Sequence, residues 1–132
     1  MLITRASEYA LLSLVILTRT DTPIDVLSLS KRLGISKSFL AKVLQSLARE
    51  NIVKSFKGAS GGFILESAPE DISLLSVLKA AEGRSLNVFD CSSDSNDCPS
   101  DQAMSCHIWP FMNKLQGKID NFLIDLTLKD IM

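Results

Sequence analysis

The stretch from Asp25 to Ile52 constrains the fold of this 132-residue chain more than any other. It holds two apolar-periodic segments separated by Gly34, the first carrying Leu29 and Leu33. The second repeats apolar residues at the same spacing: Leu40, Val43, Leu44 and Leu47. Apolar residues three and four apart predict a helix, and a glycine after the last of them suits its end. The pattern predicts a helix, a tight turn and a second helix.

The second helix has a clear start and a polar outer face. Ser36 is placed to cap it, and Ile35 can pack on Leu40 at hydrophobic-staple spacing. The outer face carries Lys37, Ser38, Ala41, Lys42, Gln45 and Arg49. Small or polar side chains on an anchored helix suit insertion into the major groove of DNA, and an ordinary solvated face is the alternative.

A hairpin is predicted directly after this helix. Ile52, Val53 and Phe56 indicate one strand, residues 57–62 a glycine-rich turn, and residues 63–65 the start of a second strand. The turn carries Lys57, Gly58, Ser60, Gly61 and Gly62, which offer a cation and backbone N–H groups for phosphate or minor-groove contact. A hairpin in this position is typical of a wing, although taken alone it is a common turn.

Charge is distributed unequally between the two halves of the chain. The formal net charge is -1, which by itself argues against a nucleic-acid partner. Residues 1–65, however, hold nine Lys/Arg against four Asp/Glu, whereas residues 66–132 hold five against eleven. The first half could therefore attract phosphates and the second half could not.

Three further helices complete the expected fold, over residues 4–19, 73–82 and 108–126. In the last, apolar residues step by four and three, a coiled-coil-like seam that we expect to pair with a second copy: Ile108, Met112, Leu115, Ile119, Phe122 and Leu126. The predicted fold class is mainly α with a two-stranded β wing. A winged helix-turn-helix domain (1–82) precedes a cysteine-containing sensor loop (83–106) and a long C-terminal dimerisation helix (107–132).

The loop holds all three cysteines of the chain, Cys91, Cys98 and Cys106, in a polar stretch rich in Ser and Asp. No segment is long and apolar enough to span a bilayer, and the apolar residues 9–17 lack the features of a signal peptide, so we expect a cytoplasmic protein with no membrane partner. In a reducing compartment an odd number of thiols favours metal or redox chemistry over disulfides. Their separation by six and seven residues is unlike the paired ligands of structural zinc sites and suits a larger iron–sulphur cluster.

A fourth ligand has two candidates, His107 and Glu8. His107 adjoins Cys106, so both could bind one cluster only if the backbone turns sharply; a partly exposed loop histidine is the alternative. Glu8, on the first helix, would have to reach the loop of a second copy, and otherwise pairs with Arg5 or faces solvent.

Along essentially its whole length the chain resembles the IscR/NsrR-type (Rrf family) winged-helix transcription regulators. The resemblance rests on TRASEYALLSL, LGISKSFLAKVLQSLARENIVKS, the wing KGASGGF, ISLLSVLKAAEG, the three loop cysteines and the closing LTLKDI. It implies a homodimer that binds double-stranded DNA at a palindromic operator, with a two-iron or four-iron cluster on the cysteines. In some members an acidic first-helix residue of the other subunit completes the site, and Glu8 matches that position.

The chain also departs from the family pattern. Cluster-binding members commonly space their cysteines five and five, and where a histidine ligand exists it lies three residues after the third cysteine, so His107 is not carried over. Lys57 stands where the family shows a wing arginine. We expect a DNA-binding regulator modulated by an iron–sulphur cluster; the alternative is the same regulator without a cluster, sensing by thiol oxidation or a protein partner. An enzyme is not expected, because Cys106 and His107 are chain neighbours that rarely reach catalytic geometry, and no second histidine exists.

Overall fold

The computed structural model describes residues 3–89, 91–92, 94–100 and 102–132. Residues 1 and 2 of the predicted DNA-binding domain and residues 90, 93 and 101 of the predicted sensor loop lie outside this part. Within it the chain forms five α-helices and a two-stranded antiparallel sheet, the predicted fold class. The helices are α1 (Arg5–Leu17), α2 (Val26–Leu33), α3 (Lys37–Arg49), α4 (Leu74–Glu82) and α5 (Trp109–Asp125), and the strands are β1 (Val53–Phe56) and β2 (Gly62–Leu65).

Local capping explains where α2 and α3 begin and end. The Asp25 carboxylate accepts the Ser28 N–H at 2.9 Å at the start of α2. Gly34 ends that helix in the left-handed region, with φ of 67°, which glycine adopts at little cost. Ser36 then caps α3 by accepting the Phe39 N–H at 3.2 Å. The predicted helix, turn and helix are confirmed.

The wing is joined to the chain that precedes α2. β1 pairs with β2 in a register that sets Val53 opposite Leu65. On the side of β2 that faces away from β1, Phe63 exchanges two backbone hydrogen bonds with Ile24, at 2.9 and 3.1 Å. Ile24, which interrupts the helical pattern of the sequence, therefore gives β2 a second backbone partner.

The hydrophobic core has two parts that share α4. The larger lies around α1 and α3 and includes Leu14, Leu44 and Val77, each fully buried. The smaller joins α4 to α5 through Leu78 and Leu123. Because α4 contributes to both, the position of α5 is set by the same helix that supports the predicted DNA-binding half.

The C-terminal segment differs from the predicted continuous helix. α5 ends at Asp125, and the chain then turns back onto the larger core. Leu128 is fully buried there, and its N–H donates to the Ile72 carbonyl at 2.8 Å. The end of the predicted dimerisation segment 107–132 thus packs with the winged-helix core.

The predicted α5 seam is divided between two surfaces. Met112 is buried within the protomer, whereas Ile108 and Phe122 are exposed. Leu115 and Ile119 are half-buried. A four-and-three pattern repeats every 3.5 residues on average, whereas an α-helix has 3.6 residues per turn. Successive seam residues therefore shift around the helix and need not all face the same partner. Among the described residues, no helix has the length and apolar character needed to cross a membrane.

A carboxylate links the end of α4 to the start of α1. Oε1 of Glu82 accepts hydrogen bonds from the Ser7 hydroxyl at 2.6 Å, from the Thr4 N–H at 3.2 Å and from the Thr4 hydroxyl. Burial raises the pKa of Glu82, but the hydrogen bonds from Ser7 and Thr4, helped by the charge of Arg84, outweigh it and hold the pKa below its ordinary value. The ionised carboxylate therefore stabilises the contact between the two helices.

Replacing Glu82 by glutamine is expected to lower the free energy of unfolding by about 1 kcal/mol at neutral pH, because the charge-assisted part of these hydrogen bonds is lost. A pKa that is lower in the folded chain than in the unfolded chain adds stability above the unfolded value, and that stability is lost as the pH falls through the folded value. The difference between wild type and variant should therefore shrink below a pH of about 4.3, the ordinary glutamate value. Urea unfolding across this range measures it, with the exposed Glu66→Gln as control. A difference that does not change with pH would contradict the assignment.

Candidate nucleic-acid interface and cysteine loop

α3 presents one polar face to solvent and buries the other. Its buried side consists of Leu40, Val43, Leu44 and Leu47. Its outer side carries the predicted contact residues: Ser36, Lys37, Ser38, Lys42 and Gln45 are exposed, as is Arg49, and Ala41 is half-buried. The predicted face is therefore accessible along the whole helix, while the apolar side keeps the helix in a fixed orientation.

An aromatic contact anchors the start of α3, and the sequence did not single it out. The rings of Tyr9 on α1 and Phe39 on α3 meet edge to face, with centroids 5.7 Å apart and an interplanar angle of 83°. Such pairs stabilise by about 0.5–1.5 kcal/mol beyond their burial. The contact fixes the end of α3 that carries Lys37 and Ser38.

The wing turn lies beside the start of α3. Lys57 and Ser60 are exposed, and the turn is closed by a hydrogen bond from the Gly61 N–H to the Gly58 carbonyl at 3.0 Å. A cleft of about 340 Å³ separates the turn from the helices, and Lys37 lines it together with Gly58 and Gly61. The structure therefore places the predicted helix and wing residues on adjoining surfaces.

Another cleft, lined mainly by basic side chains, lies at the other end of α3. It has a volume of about 620 Å³ and is lined by Arg49 of α3, Lys79 of α4 and Arg84, with Glu50 beside them. Lys79 and Arg84 come from the acidic half of the chain, so counting charge along the sequence could not associate them with α3. The basic surface thus extends beyond the predicted residues.

The three cysteines lie half-buried in the loop between α4 and α5, and no disulfide joins them. The Sγ of Cys98 accepts the Gln102 N–H at 3.4 Å. The Cys91 carbonyl accepts a hydrogen bond from the Trp109 indole N–H at 2.7 Å. Cys91 and Cys98 therefore each have a hydrogen-bond partner among the described residues.

The residue types of the loop favour a metal cluster, but the arrangement of the described residues does not. Three thiols are suitable ligands for an iron–sulphur cluster. Among the described residues, however, no three His, Cys, Asp or Glu side chains converge on a common position. Glu8 is exposed and pairs with Arg5 at 3.3 Å, and His107 is also exposed. The cysteines therefore match a cluster in ligand type, but the described part of one protomer does not gather three ligands into a site.

Comparisons with known proteins agree over nearly the whole chain. A family model described as Rrf2, iron-dependent transcriptional regulator, matches residues 3–132. The HTH-type transcriptional regulator IscR of Vibrio atlanticus is 29% identical over 135 residues, which cover 100% of this chain and 75% of IscR.

Two solved structures share the architecture. CymR (YrzC), the global cysteine regulator of B. subtilis, is 20% identical with a TM-score of 0.69, and the match covers 98% of this chain and 94% of CymR. IscR of T. potens is 22% identical with a TM-score of 0.68, covering 98% and 84%. At these identities the likeness shows the fold, which is that of the two regulators.

Proposed function

The chain belongs to the Rrf2 family of DNA-binding transcriptional regulators, and from that premise we propose that it binds a palindromic operator as a homodimer under the control of its cysteine loop. In this proposal α3 enters the major groove, and the wing contacts the phosphates or the minor groove beside it. The regulator acts in the cytoplasm, where its operator is.

The observation that carries this proposal is the outer face of α3. It exposes Lys37, Lys42 and Gln45, which can donate hydrogen bonds to base edges or phosphates, with Ser36, Ser38 and Ala41 between them. Lys37 also lines the cleft shared with Gly61 of the wing turn, and Lys57 and Ser60 are exposed on that turn. Helix and wing can therefore contact neighbouring grooves without rearrangement.

An exposed apolar stripe on α5 supports the homodimer. Phe111 and Phe122 are 63% and 65% exposed, and the half-buried Leu115 lies between them at helical spacing. Exposed aromatic side chains arranged in a row are typical of an interaction surface. A two-fold axis along this stripe would present two copies of α3 to successive half-sites, as a palindromic operator requires.

The cysteine loop is the proposed sensor, with an iron–sulphur cluster as its resident group. Cys91, Cys98 and Cys106 would hold the cluster, and Glu8 of the partner subunit is a candidate fourth ligand, with His107 less favoured. A bound cluster supplies a chemical state that changes with iron, oxygen or nitric oxide. The description of the matching family as iron-dependent supports this proposal.

A second candidate is thiol sensing without a cluster or through a protein partner. It is favoured because no three metal-binding side chains come together among the described residues, and by the likeness of the fold to CymR, which has been solved in an oxidised form for Staphylococcus aureus. In this version the same loop acts on the same DNA-binding half.

Anaerobic purification after expression with added iron tests the first candidate. We expect a coloured protein with visible absorbance, bound iron and acid-labile sulphide, and we expect the Cys91→Ser/Cys98→Ser/Cys106→Ser variant to lack all three. Zinc in stoichiometric amount without visible absorbance would indicate a structural metal site, and a colourless, metal-free protein would eliminate the cluster.

Operator binding by the same triple variant tests the regulatory role of the loop. We expect the affinity of the wild-type protein to change on oxidation, and that of the variant to stay constant. Operator sequences selected from a random DNA library provide the probe, and affinity is measured at fixed salt concentration, since phosphate contacts make it depend on salt. Equal affinities for wild type and variant under reducing and oxidising conditions would eliminate both cysteine mechanisms.

A further inference from the structure

Gln116 on α5 is a buried polar side chain whose hydrogen-bonding groups are all occupied. It is 5% exposed. Its Oε1 accepts from the Val88 N–H and from the Ser92 hydroxyl, both at 2.7 Å. Its Nε2 donates to the Leu86 carbonyl at 2.7 Å and to the Asp120 carboxylate at 3.0 Å. A carboxamide has two acceptor sites and two donors, and all four have a partner here, with the single Ser92 proton shared between Gln116 and the Phe89 carbonyl at 2.8 Å.

Two further side chains of α5 hold the same stretch of chain. The Trp109 indole N–H donates to the Cys91 carbonyl at 2.7 Å, and the Asn113 amide donates to the Ser92 carbonyl at 3.0 Å. Positions 109, 113 and 116 are four and three residues apart and so lie on one face of the helix. With the buried carboxamide they bond to four positions among residues 86–89 and 91–92, which we name the anchored segment.

This arrangement distinguishes Cys91 from Cys98. Cys91 is part of the anchored segment and lies next to the fully buried Ser92. Cys98, in contrast, is contacted by Gln102 of its own loop. A displacement of Cys91 would therefore disturb hydrogen bonds to α5, whereas the hydrogen bond between Cys98 and Gln102 lies within the loop.

We propose that Trp109, Asn113 and Gln116 are positioning residues that fix Cys91 and transmit a change at its thiol to α5. The proposal rests on the proposed sensory role of the cysteine loop, and adds the route from that loop to the helix with the apolar stripe. Leaving a buried donor or acceptor unpaired is costly, so the network has few alternative arrangements. A change at Cys91 that breaks one bond will tend to break its neighbours with it.

The reactivity of Cys91 tests the positioning role. A Cys98→Ser/Cys106→Ser variant of the full chain leaves Cys91 as its one thiol, since the sequence has three cysteines. The probe is methyl methanethiosulfonate: the Cys91 thiolate attacks the sulfenyl sulphur, a mixed disulfide forms and methanesulfinate leaves. We expect Gln116→Met in this background to speed modification about tenfold, because the lost hydrogen bonds raise the population in which the anchored segment is open.

The matched control is Asn121→Met, at an exposed position of the same helix outside the apolar stripe, which should change the rate less than about twofold because surface substitutions rarely alter local opening. Circular dichroism verifies that each variant is folded. If Gln116→Met does not fold, Trp109→Phe makes the same comparison, because it removes the indole N–H and keeps an aromatic ring. Equal rates in the folded test and control variants would overturn the proposal.

The emission of Trp109 tests transmission to α5, because the chain has one tryptophan. Modification of Cys91 should shift that emission, whereas modification of Cys98 in a Cys91→Ser/Cys106→Ser variant should leave it unchanged. No shift in the first case, or an equal shift in both, would overturn the proposal. Neither measurement requires DNA. If operator affinity does not depend on the cysteines, the sensory function is refuted, but these two measurements still test the hydrogen-bond network.

Discussion

Substitution of Gly62 by alanine is expected to lower the free energy of unfolding by about 2 to 6 kcal/mol. A Cβ at this position would lie 2.4 Å from the carbonyl carbon and oxygen of Ile24 and 2.7 Å from the Asp25 nitrogen. These are backbone atoms, which cannot rotate away. The φ of 147° also strains any residue other than glycine. The expected loss is the sum of about 1–3 kcal/mol for the strained backbone and about 1–3 kcal/mol for overpacking.

The same substitution should also weaken operator binding, because Gly62 lies between the wing turn and the bridge that joins Phe63 to Ile24. Urea denaturation measures the first effect, and fluorescence anisotropy with labelled operator measures the second.

Gly58→Ala provides the matched control for this expectation. Gly58 also has a positive φ, 98°, but a Cβ there would have no atom within 4 Å. Its substitution should therefore cost only the strain of the backbone, about 1–2 kcal/mol. If both variants lose the same stability, the close approach of Gly62 to Ile24 is not what requires glycine.

Substitution of Lys42 by glutamate is expected to weaken operator binding by a factor of about 30 to 10⁴. Lys42 is exposed near the middle of the outer face of α3, and loss of a base or phosphate contact costs about 1–3 kcal/mol per half-site. In a homodimer the loss occurs twice. Because the side chain is exposed, the free energy of unfolding should change by less than about 0.5 kcal/mol. Anisotropy titrations at several salt concentrations should also give a smaller salt slope if the lost contact is to a phosphate.

Lys114→Glu is the control for Lys42→Glu, since it makes the same change of charge at an exposed position of α5. It alters the net charge equally and should reduce affinity by no more than a few-fold. An equal loss in both variants would mean that overall charge, and not the outer face of α3, determines binding.

Much of the DNA-binding half could be predicted because its signals are local. Ser36, Gly34 and the apolar spacing of α3 act through hydrogen bonds and contacts within one or two turns of helix, and the structure shows each of them where the pattern indicated. The exposure of Lys42 and Gln45 followed from the same periodicity. The charge pattern was less reliable, since it separated Lys79 and Arg84 from the cleft that they share with Arg49.

The surroundings of the cysteines could not be predicted in the same way. From the sequence alone, Gln116 is an ordinary polar residue of a helix, and Trp109 is an aromatic residue in the first turn of that helix. Their partners lie 18 to 30 positions away along the chain. No local pattern specifies such pairs, because a hydrogen bond between distant segments depends on how the elements between them pack.

The sequence by itself determined the helix-turn-helix, its caps, the wing and the three thiols of the loop, since each depends on residue type and short spacing. Only the tertiary structure decided which side of α5 is buried, that the last residues return to the larger core, and that the Cys91 carbonyl is bonded to α5. The reason is physical: an apolar or polar residue has a preference for burial or hydrogen bonding, but the partner that satisfies it is chosen by packing among elements distant in the chain.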